Sequence, residues 1–428
     1  MRIKLKNIAK VKTADIDIKG ITVIAGENNS GKSTIGKALF SVFYALNNIK
    51  DKYNKDQYAS LKSILQRFYL TVYFEYPINQ ISQEVFNPNI NESQLIQKLL
   101  GLTSKGSTLK VDIESILRFG FSDMLLKSMD IDSWNELIQE IIAVLSVEIK
   151  KYINFTIAEQ LKGEFNQQIV NIFEETSGDI LFEQGKQNII INVDSNNNIS
   201  TNIVRWNDIT VEPIYIDNPF IIDDVFTGAF INFTTYKNHR NNLLAQLTTS
   251  KSINKIDSIV NSNKLNSIME SINKILPGTL DISESGLSYF YNEKRLDAKN
   301  LSTGIKTFAV IKRLISNGYI STNGIVILDE PEIHLHPEWQ LVLAELIVLL
   351  QKEFNLHILI TTHSPYFLNA IEVYVAKHNI NDKCKYYLSN LIKNDKYVKF
   401  DDVSDKVDLI YKKLAKPLQE LENMRYRL

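Results

Sequence analysis

Cysteine is almost missing from this sequence. Cys384 is the single one among 428 residues, which excludes an internal disulfide framework and a thiolate zinc cluster within one chain and fits a reducing cytoplasm. Although 44% of the residues are hydrophobic, no uninterrupted apolar run comes near the about 18 residues of a membrane span. Any membrane task would fall to a separate chain. The start, MRIKLKNIAK, alternates charge with apolar residues and lacks the continuous apolar core of a signal peptide. An excess of either charge is also absent: 48 Lys and Arg face 49 Asp and Glu, a formal net charge of −1. That balance gives no global basic field for sequence-independent nucleic-acid binding, and leaves only a local patch open. There is no internal repeat, and the Asn- and Lys-rich segments are too short to read as disordered. Such a chain buries a substantial core, as two or three domains or as one domain with insertions.

The first 25 residues suggest short strands, RIKLKNI, ADIDIK and ITVIAG. The last runs into GENNSGKSTIGKALFSVFYAL, where Gly26, Gly31, Lys32 and Ser33 satisfy G-x-x-x-x-G-K-[ST] and Ile35, Leu39, Val42 and Phe43 have helical spacing. Each residue type has a task there. Glycines let the backbone turn its N–H groups around a phosphate, the helix N-terminus adds partial positive charge, Lys32 reaches the outer phosphates, and the Ser33 hydroxyl can ligate magnesium.

From about residue 50 to 185 the pattern changes to helices with few glycines. In SWNELIQEIIAVLSVEIKKYINFTIAEQL, residues Leu137, Ile141, Leu145, Ile149, Tyr152 and Ile153 share one side, predicting a helical insertion that packs on itself; no long heptad array points to a coiled-coil arm. NIIINVDSNNNISTNIVRW reads as a hairpin around an Asn-rich turn, and EPIYIDNPFIIDDVF as a buried strand from Ile214 to Ile216. Residues 237–276 again look helical, and the segment after about 385 mixes Lys, Asp and Tyr as a solvated subdomain or tail.

Three later stretches supply a second half for a nucleotide site. In NLSTGIKTFAVIKRLISNG, Leu301, Ser302, Thr303 and Gly304 precede a helix with apolar Phe308, Ile311 and Leu314 and an Asn317-Gly318 stop; Ser302 reads as an N-cap or as part of an anion site. GIVILDE is a buried parallel strand delivering Asp329 and Glu330 to the sheet's C-terminal edge, one for magnesium and one to orient and deprotonate water. LHILITTHSPYFL is another, ending at Thr362 and His363, where the imidazole could hydrogen-bond a terminal phosphate. The crowding of Glu332, His334, His336 and Glu338 next to Asp329 also raises a transition-metal site, but Pro331 and Pro337 mark a bend and a new helix that part these groups.

The ordered set GENNSGKS, LSTG, VILDEPEIHLHP and TTHSP resembles the ATPases of the ABC superclass, in the soluble branch with RecF, SMC proteins and the OLD-family nucleases. The spelling DEPE-x-H-L-H-P followed by THSP is most similar to the OLD-like bacterial AAA-family ATPases, many of which belong to phage-defence modules. The resemblance covers residues 1–48 and about 210–372. It implies an α/β fold: an ABC-type P-loop ATPase head, a mixed sheet flanked by helices, carrying a large helical insertion. Residues 1–48 would be the N-lobe with Walker A, 49–185 the insertion, 186–236 the remaining N-lobe strands, 237–285 a helical segment, 286–385 the C-lobe, and 386–428 a tail or small subdomain.

The resemblance also implies ATP and Mg2+ as cofactors. Walker A would be Gly26, Glu27, Asn28, Asn29, Ser30, Gly31, Lys32, Ser33 and Thr34, with Ser33 and Asp329 holding the metal. Lys32, the base Glu330 and the switch histidine His363 would be catalytic. Ser302 and Gly304 of the signature would grip the γ-phosphate of ATP on the other protomer, and Glu332, His334 and His336 would line the dimer seam. Thr303 and Ile305 stand where transporter relatives have glycine and glutamine, and no Q-loop is assigned among Gln57, Gln66, Gln80 and Gln83. OLD-family nucleases carry a Toprim domain after the ATPase; the stretch after His363 is too short for one, so nuclease activity is not expected here. The resulting expectation is a cytoplasmic ATPase, a homodimer or higher even oligomer, acting as sensor or motor of an anti-phage system. A separate nuclease or toxin chain would be its effector, and DNA or a phage-derived molecule its trigger. A RecF-like DNA-repair ATPase and a slow regulatory nucleotide switch are the alternatives.

Overall fold

The computed structural model describes residues 1–75, 86, 89–103, 105–122, 125–126, 130–173, 176–206, 208–225, 238–251, 255–283, 286–392 and 396–425. It divides into two compact units, Asn48–Phe155 and the remainder, Met1–Asn47 with Thr156–Leu428. Gln80 and Gln83 lie outside the described residues, as do parts of the expected 237–276 helical segment.

The larger unit is built on β1 (Arg2–Ile8), β2 (Val11–Asp17), β3 (Ile21–Ala25), β4 (Gly178–Gln184), β5 (Gln187–Val193), β6 (Ile199–Arg205) and β7 (Ile214–Ile216). Further along come β8 (Thr279–Ser283), β9 (Gly286–Tyr291), β10 (Lys294–Asp297), β11 (Ile325–Asp329), β12 (His357–Thr362), β13 (Cys384–Ile392) and β14 (Tyr397–Asp402). Eleven of them form one mixed sheet in the order β6-β5-β4-β1-β2-β14-β13-β3-β12-β11-β7, and β10-β9-β8 form a small separate one. The run β13-β3-β12-β11-β7 is parallel throughout. On the other side β2, β1, β4, β5 and β6 pair antiparallel, and β14 joins the halves, antiparallel to β13 and parallel to β2.

Helices cover the parallel half on both faces, so its strands read as continuous apolar runs. Alternate residues Val326, Leu328, Ile358 and Ile360 enter the core formed with helices His239–Thr248, Thr303–Ser316, Pro337–Phe354 and Pro365–Lys377. The opposite face meets helix Lys32–Leu46, which lies against β1, β7, β11 and β12. A Cβ at Gly36 would sit 3.0 Å from Ile327 Cγ2 and 3.1 Å from the Tyr215 hydroxyl, so glycine sets how closely that helix approaches the sheet. Among the described residues no helix is long and apolar enough to cross a membrane.

The smaller unit is helical, with Leu61, Leu95, Leu99, Leu117, Leu137 and Ile141 in its core. Three expectations change. The stretch 133–161 is two helices, Ile131–Leu145 and Ile149–Glu164, because the Ser146 N–H closes back onto the Ile142 and Val144 carbonyls. The compact helical unit ends at Phe155, and β4 begins at Gly178, ahead of the expected boundary at 185. The segment after 385 is no solvated tail: β13 lies directly beside β3 and completes the parallel block, its alternating Tyr386 and Leu388 entering the core. The hairpin at β5 and β6 and the strand Ile214–Ile216 fall where the sequence puts them.

Candidate nucleotide site

β3 is buried over all five residues and stops at Ala25. Gly26 follows because a Cβ there would fall 1.8 Å from Ser389 Oγ on β13. Asn29 and Gly31 are left-handed, with φ of 60° and 69°, a turn that gathers backbone N–H groups into an anion-binding concavity. Helix Lys32–Leu46 then begins with no side-chain cap and no acid in its first turn, leaving its first N–H groups and dipole for an anion. Glu27, Asn28 and Asn29 are exposed, Ser30 is buried, and Ser33 and Thr34 are half-buried. The Ser30 and Ser389 hydroxyls share a hydrogen bond of 2.7 Å, and Lys10 Nζ donates to the Asn29 carbonyl at 2.9 Å.

Lys32 Nζ is almost fully buried. It donates to the Gly26 and Glu27 carbonyls at 3.1 and 2.8 Å and pairs with Glu330 Oε1 at 3.1 Å. Glu330 does not continue β11: its φ is 50°, and its N–H bonds the Thr361 carbonyl and hydroxyl, both at 3.1 Å. This left-handed kink, a costly conformation for a side-chain-bearing residue, turns the carboxylate toward Lys32 and toward His363 Nδ1 at 3.5 Å. The three expected catalytic residues therefore converge on one carboxylate oxygen. Asp329, at the end of β11, has both oxygens held, Oδ1 by the Thr361 hydroxyl and Oδ2 by the Tyr215 hydroxyl at 3.2 Å.

The residues expected at a dimer seam separate. His334 and His336 are exposed, and the His334 ring meets Phe220 edge-on with centroids 5.7 Å apart. Glu332 does not belong with them, being 2% exposed. It points back into the sheet, accepting from the Thr362 hydroxyl and, at 3.4 Å, from the His363 N–H, and burial pushes its pKa up. Its second oxygen has no hydrogen-bond partner among the described residues. Ser302 is exposed at the N-cap of helix Thr303–Ser316 but makes no side-chain cap bond, so the capping role does not occupy its hydroxyl. Gly304 is buried: a Cβ would meet the Trp339 ring at 3.0 Å and the His334 carbonyl at 3.2 Å. Among the described residues no hydrogen bond or ion pair joins either to the Lys32 cluster.

Sequence reasoning missed Thr361, Tyr215, Ser389 and Lys413. Lys413 Nζ donates to the Ser389 carbonyl at 2.8 Å and to Asn390 Oδ1 at 3.0 Å, and burial lowers its pKa, with the Lys32 charge adding to the effect. Thr361 stands beside two motif residues and was the one with a signal. The others come from segments whose composition carries none.

A family model described as AAA ATPase domain matches residues 1–368. The chain belongs to that family. Among curated proteins the chain is similar to the Retron Ec83 probable ATPase of Escherichia coli, 33% identical over 128 aligned residues, with a coverage of 26% of this chain and 23% of that protein. Endonuclease GajA of Bacillus cereus (strain HuB5-5) is 24% identical over 386 residues, 82% of this chain and 52% of GajA. The chain thus spans about half the length of GajA and about a quarter of the retron protein. Among solved structures, the SMC head bound to the C-winged helix domain of ScpA is 13% identical with a TM-score of 0.45, covering 95% of this chain and 98% of that one. The SMC head domain from Thermotoga maritima is 11% identical with a TM-score of 0.37, covering 94% and 98%. Both are loose likenesses.

Proposed function

We propose that this AAA ATPase binds ATP with Mg2+ and hydrolyses it to ADP and phosphate. The observation that carries the reading is the meeting of Lys32, Glu330 and His363 beside an uncapped helix N-terminus. Magnesium prefers hard oxygen donors, and the residues present fit it: the Ser33 hydroxyl lies in the first turn of helix Lys32–Leu46, and Thr361 and Tyr215 fix the Asp329 carboxylate from behind. When bound, the metal would neutralise charge developing on the phosphate oxygens.

The chain's own residues do the rest. Lys32 is held by carbonyls and by Glu330; an arriving triphosphate gives it better partners, since charge-assisted bonds outweigh those to neutral carbonyls. Its departure frees Glu330 to orient a water and take its proton as the water oxygen bonds the γ-phosphorus and the bond to the β-phosphate oxygen breaks. His363, half-exposed, would donate to the terminal phosphate. Nucleotide binding and release of the base would then be one event.

The same reading makes the working form a homodimer, or a higher even oligomer, with the exposed Ser302 hydroxyl of one protomer completing the site of the other. Exposed Ile333, His334 and His336 on the neighbouring loop support that seam. Likeness to a retron ATPase and to an endonuclease supports a place in an antiviral module of the OLD-like branch, in the cytoplasm, with a DNA or phage-derived trigger and a partner chain as effector. The test is Glu330→Gln. Turnover should fall about a hundredfold, as for loss of a general base, and ATP-bound dimers should accumulate in light scattering. Unchanged turnover would remove Glu330 from the mechanism.

A further inference from the structure

Behind Asp329 lies a buried polar network made of residues outside the motifs. Tyr215, 1% exposed, donates to Asp329 Oδ2, and its ring stacks on the His239 imidazole with centroids 4.3 Å apart and planes 27° apart. Phe40 meets both rings edge-on. His239 in turn is held between two carboxylates. Its Nδ1 contacts Glu164 Oε1, its backbone N–H bonds Glu164 Oε2 at 3.0 Å, and its Nε2 bonds Asp217 Oδ2 at 3.0 Å. Asn242 and Gln246, one and two turns further along the helix that His239 opens, both donate to the Pro213 carbonyl at 3.1 Å and pin it to β7.

Position explains why such a network is needed. Ile216 pairs with Leu328 across β7 and β11, so the next residues, Asp217 and Asp329, come level at the ends of neighbouring parallel strands. Two carboxylates so placed repel each other and compete for any cation. Burial alone would lower the His239 pKa, but its bonds to Asp217 and Glu164 outweigh that and lift it to about 9, so the ring is cationic at neutral pH. A cation there satisfies the fully buried Glu164 carboxylate and engages Asp217.

We propose that His239, clamped between Glu164 and Asp217, is a positioning residue for metal binding: through the stacked Tyr215 it fixes the Asp329 carboxylate, and it keeps Asp217 engaged away from the cation. The inference rests on the reading of Asp329 as a magnesium ligand. Residues that orient a ligand from behind typically control metal affinity about ten- to a hundredfold.

The experiment measures affinity for a non-hydrolysable ATP analogue by calorimetry, with Mg2+ and with EDTA, in the wild type, Tyr215→Phe and His239→Gln, each checked for folding by its melting transition. The expected result is unchanged affinity in EDTA and a gain from Mg2+ that shrinks about tenfold in both variants. An undiminished gain in a folded Tyr215→Phe protein overturns the proposal, and that variant decides alone if His239→Gln does not fold. Equal weakening with and without the metal assigns the network to general stability and also overturns it. A wild type that gains nothing from Mg2+ strikes the magnesium reading itself, a result distinct from the others.

Discussion

Lys32 and Glu330 meet at 3.1 Å, so the buried ammonium and the carboxylate that follows β11 neutralise each other. The pair is also anchored at both ends, by the Gly26 and Glu27 carbonyls on one side and by the left-handed turn after Asp329 on the other. If Lys32 binds phosphate as proposed, its removal deletes that contact while the loop and the turn that anchor the pair keep their own backbone bonds. Lys32→Ala should weaken ATP binding by about a hundredfold, the loss of two charge-assisted hydrogen bonds. Calorimetry checks it, and wild-type affinity in the variant would contradict the assigned phosphate site.

Ser389 touches the phosphate loop from a part of the chain that carries no motif. Its hydroxyl bonds Ser30 and donates to the Ala25 carbonyl at 3.3 Å. Ser389→Ala should lower stability by about 1 kcal/mol, the usual value of one buried hydrogen bond, and loosen ATP binding severalfold by freeing the loop. A binding titration with chemical denaturation reads both; an effect on stability alone would mean that the loop holds its shape without Ser389.

The His239 pKa is raised in the fold, from 6.5 to about 9. A group shifted upward binds its proton more tightly when folded, so its stabilising contribution is complete below pH 6.5 and is lost as the pH rises through about 9. The wild type should therefore lose melting temperature across that window, and His239→Gln should lose less. Parallel melting curves for the two proteins would show that other groups set the alkaline limit.

How much of this was legible in the sequence differs by residue. The placing of Gly26, Lys32, Asp329, Glu330 and His363 was, because each follows or ends a short apolar run that reads as a buried strand. Glu332 was misplaced because its motif position says nothing about side-chain direction, and here the carboxyl turns inward beneath Thr362. Burial of Lys306, Lys312 and Arg313 along helix Thr303–Ser316 was invisible too: each is satisfied by a distant partner, Lys306 by Asp223 at 2.7 Å, Lys312 by Asn273 at 2.7 Å and Arg313 by the Leu280 carbonyl at 2.7 Å. The hairpin of β13 and β14 was read as solvated because its Tyr, Lys and Asp alternate, and only the pairing of Cys384 with Ile21 shows where the alternation points.

The helical unit has its own apolar core, with Ile141 fully buried beside Leu137 and Ile138. Ile141→Ala should cost that unit about 2–5 kcal/mol, the range for a large-to-small change in a packed core. Hydrogen exchange should show faster opening confined to residues 48–155, with ATP affinity unchanged. Faster exchange throughout would mean that the two units unfold as one.

The pairing of β3 with β13 brings together residues such as Ser30 and Ser389 that are 359 positions apart in the chain. On the ribosome, the strand that leads into the phosphate loop must wait, both edges open, until its two neighbours β12 and β13 have been made. Nascent chains that lack β12 and β13 should therefore be unable to trap nucleotide and should expose sticky strand edges, an interval in which a chaperone has work to do.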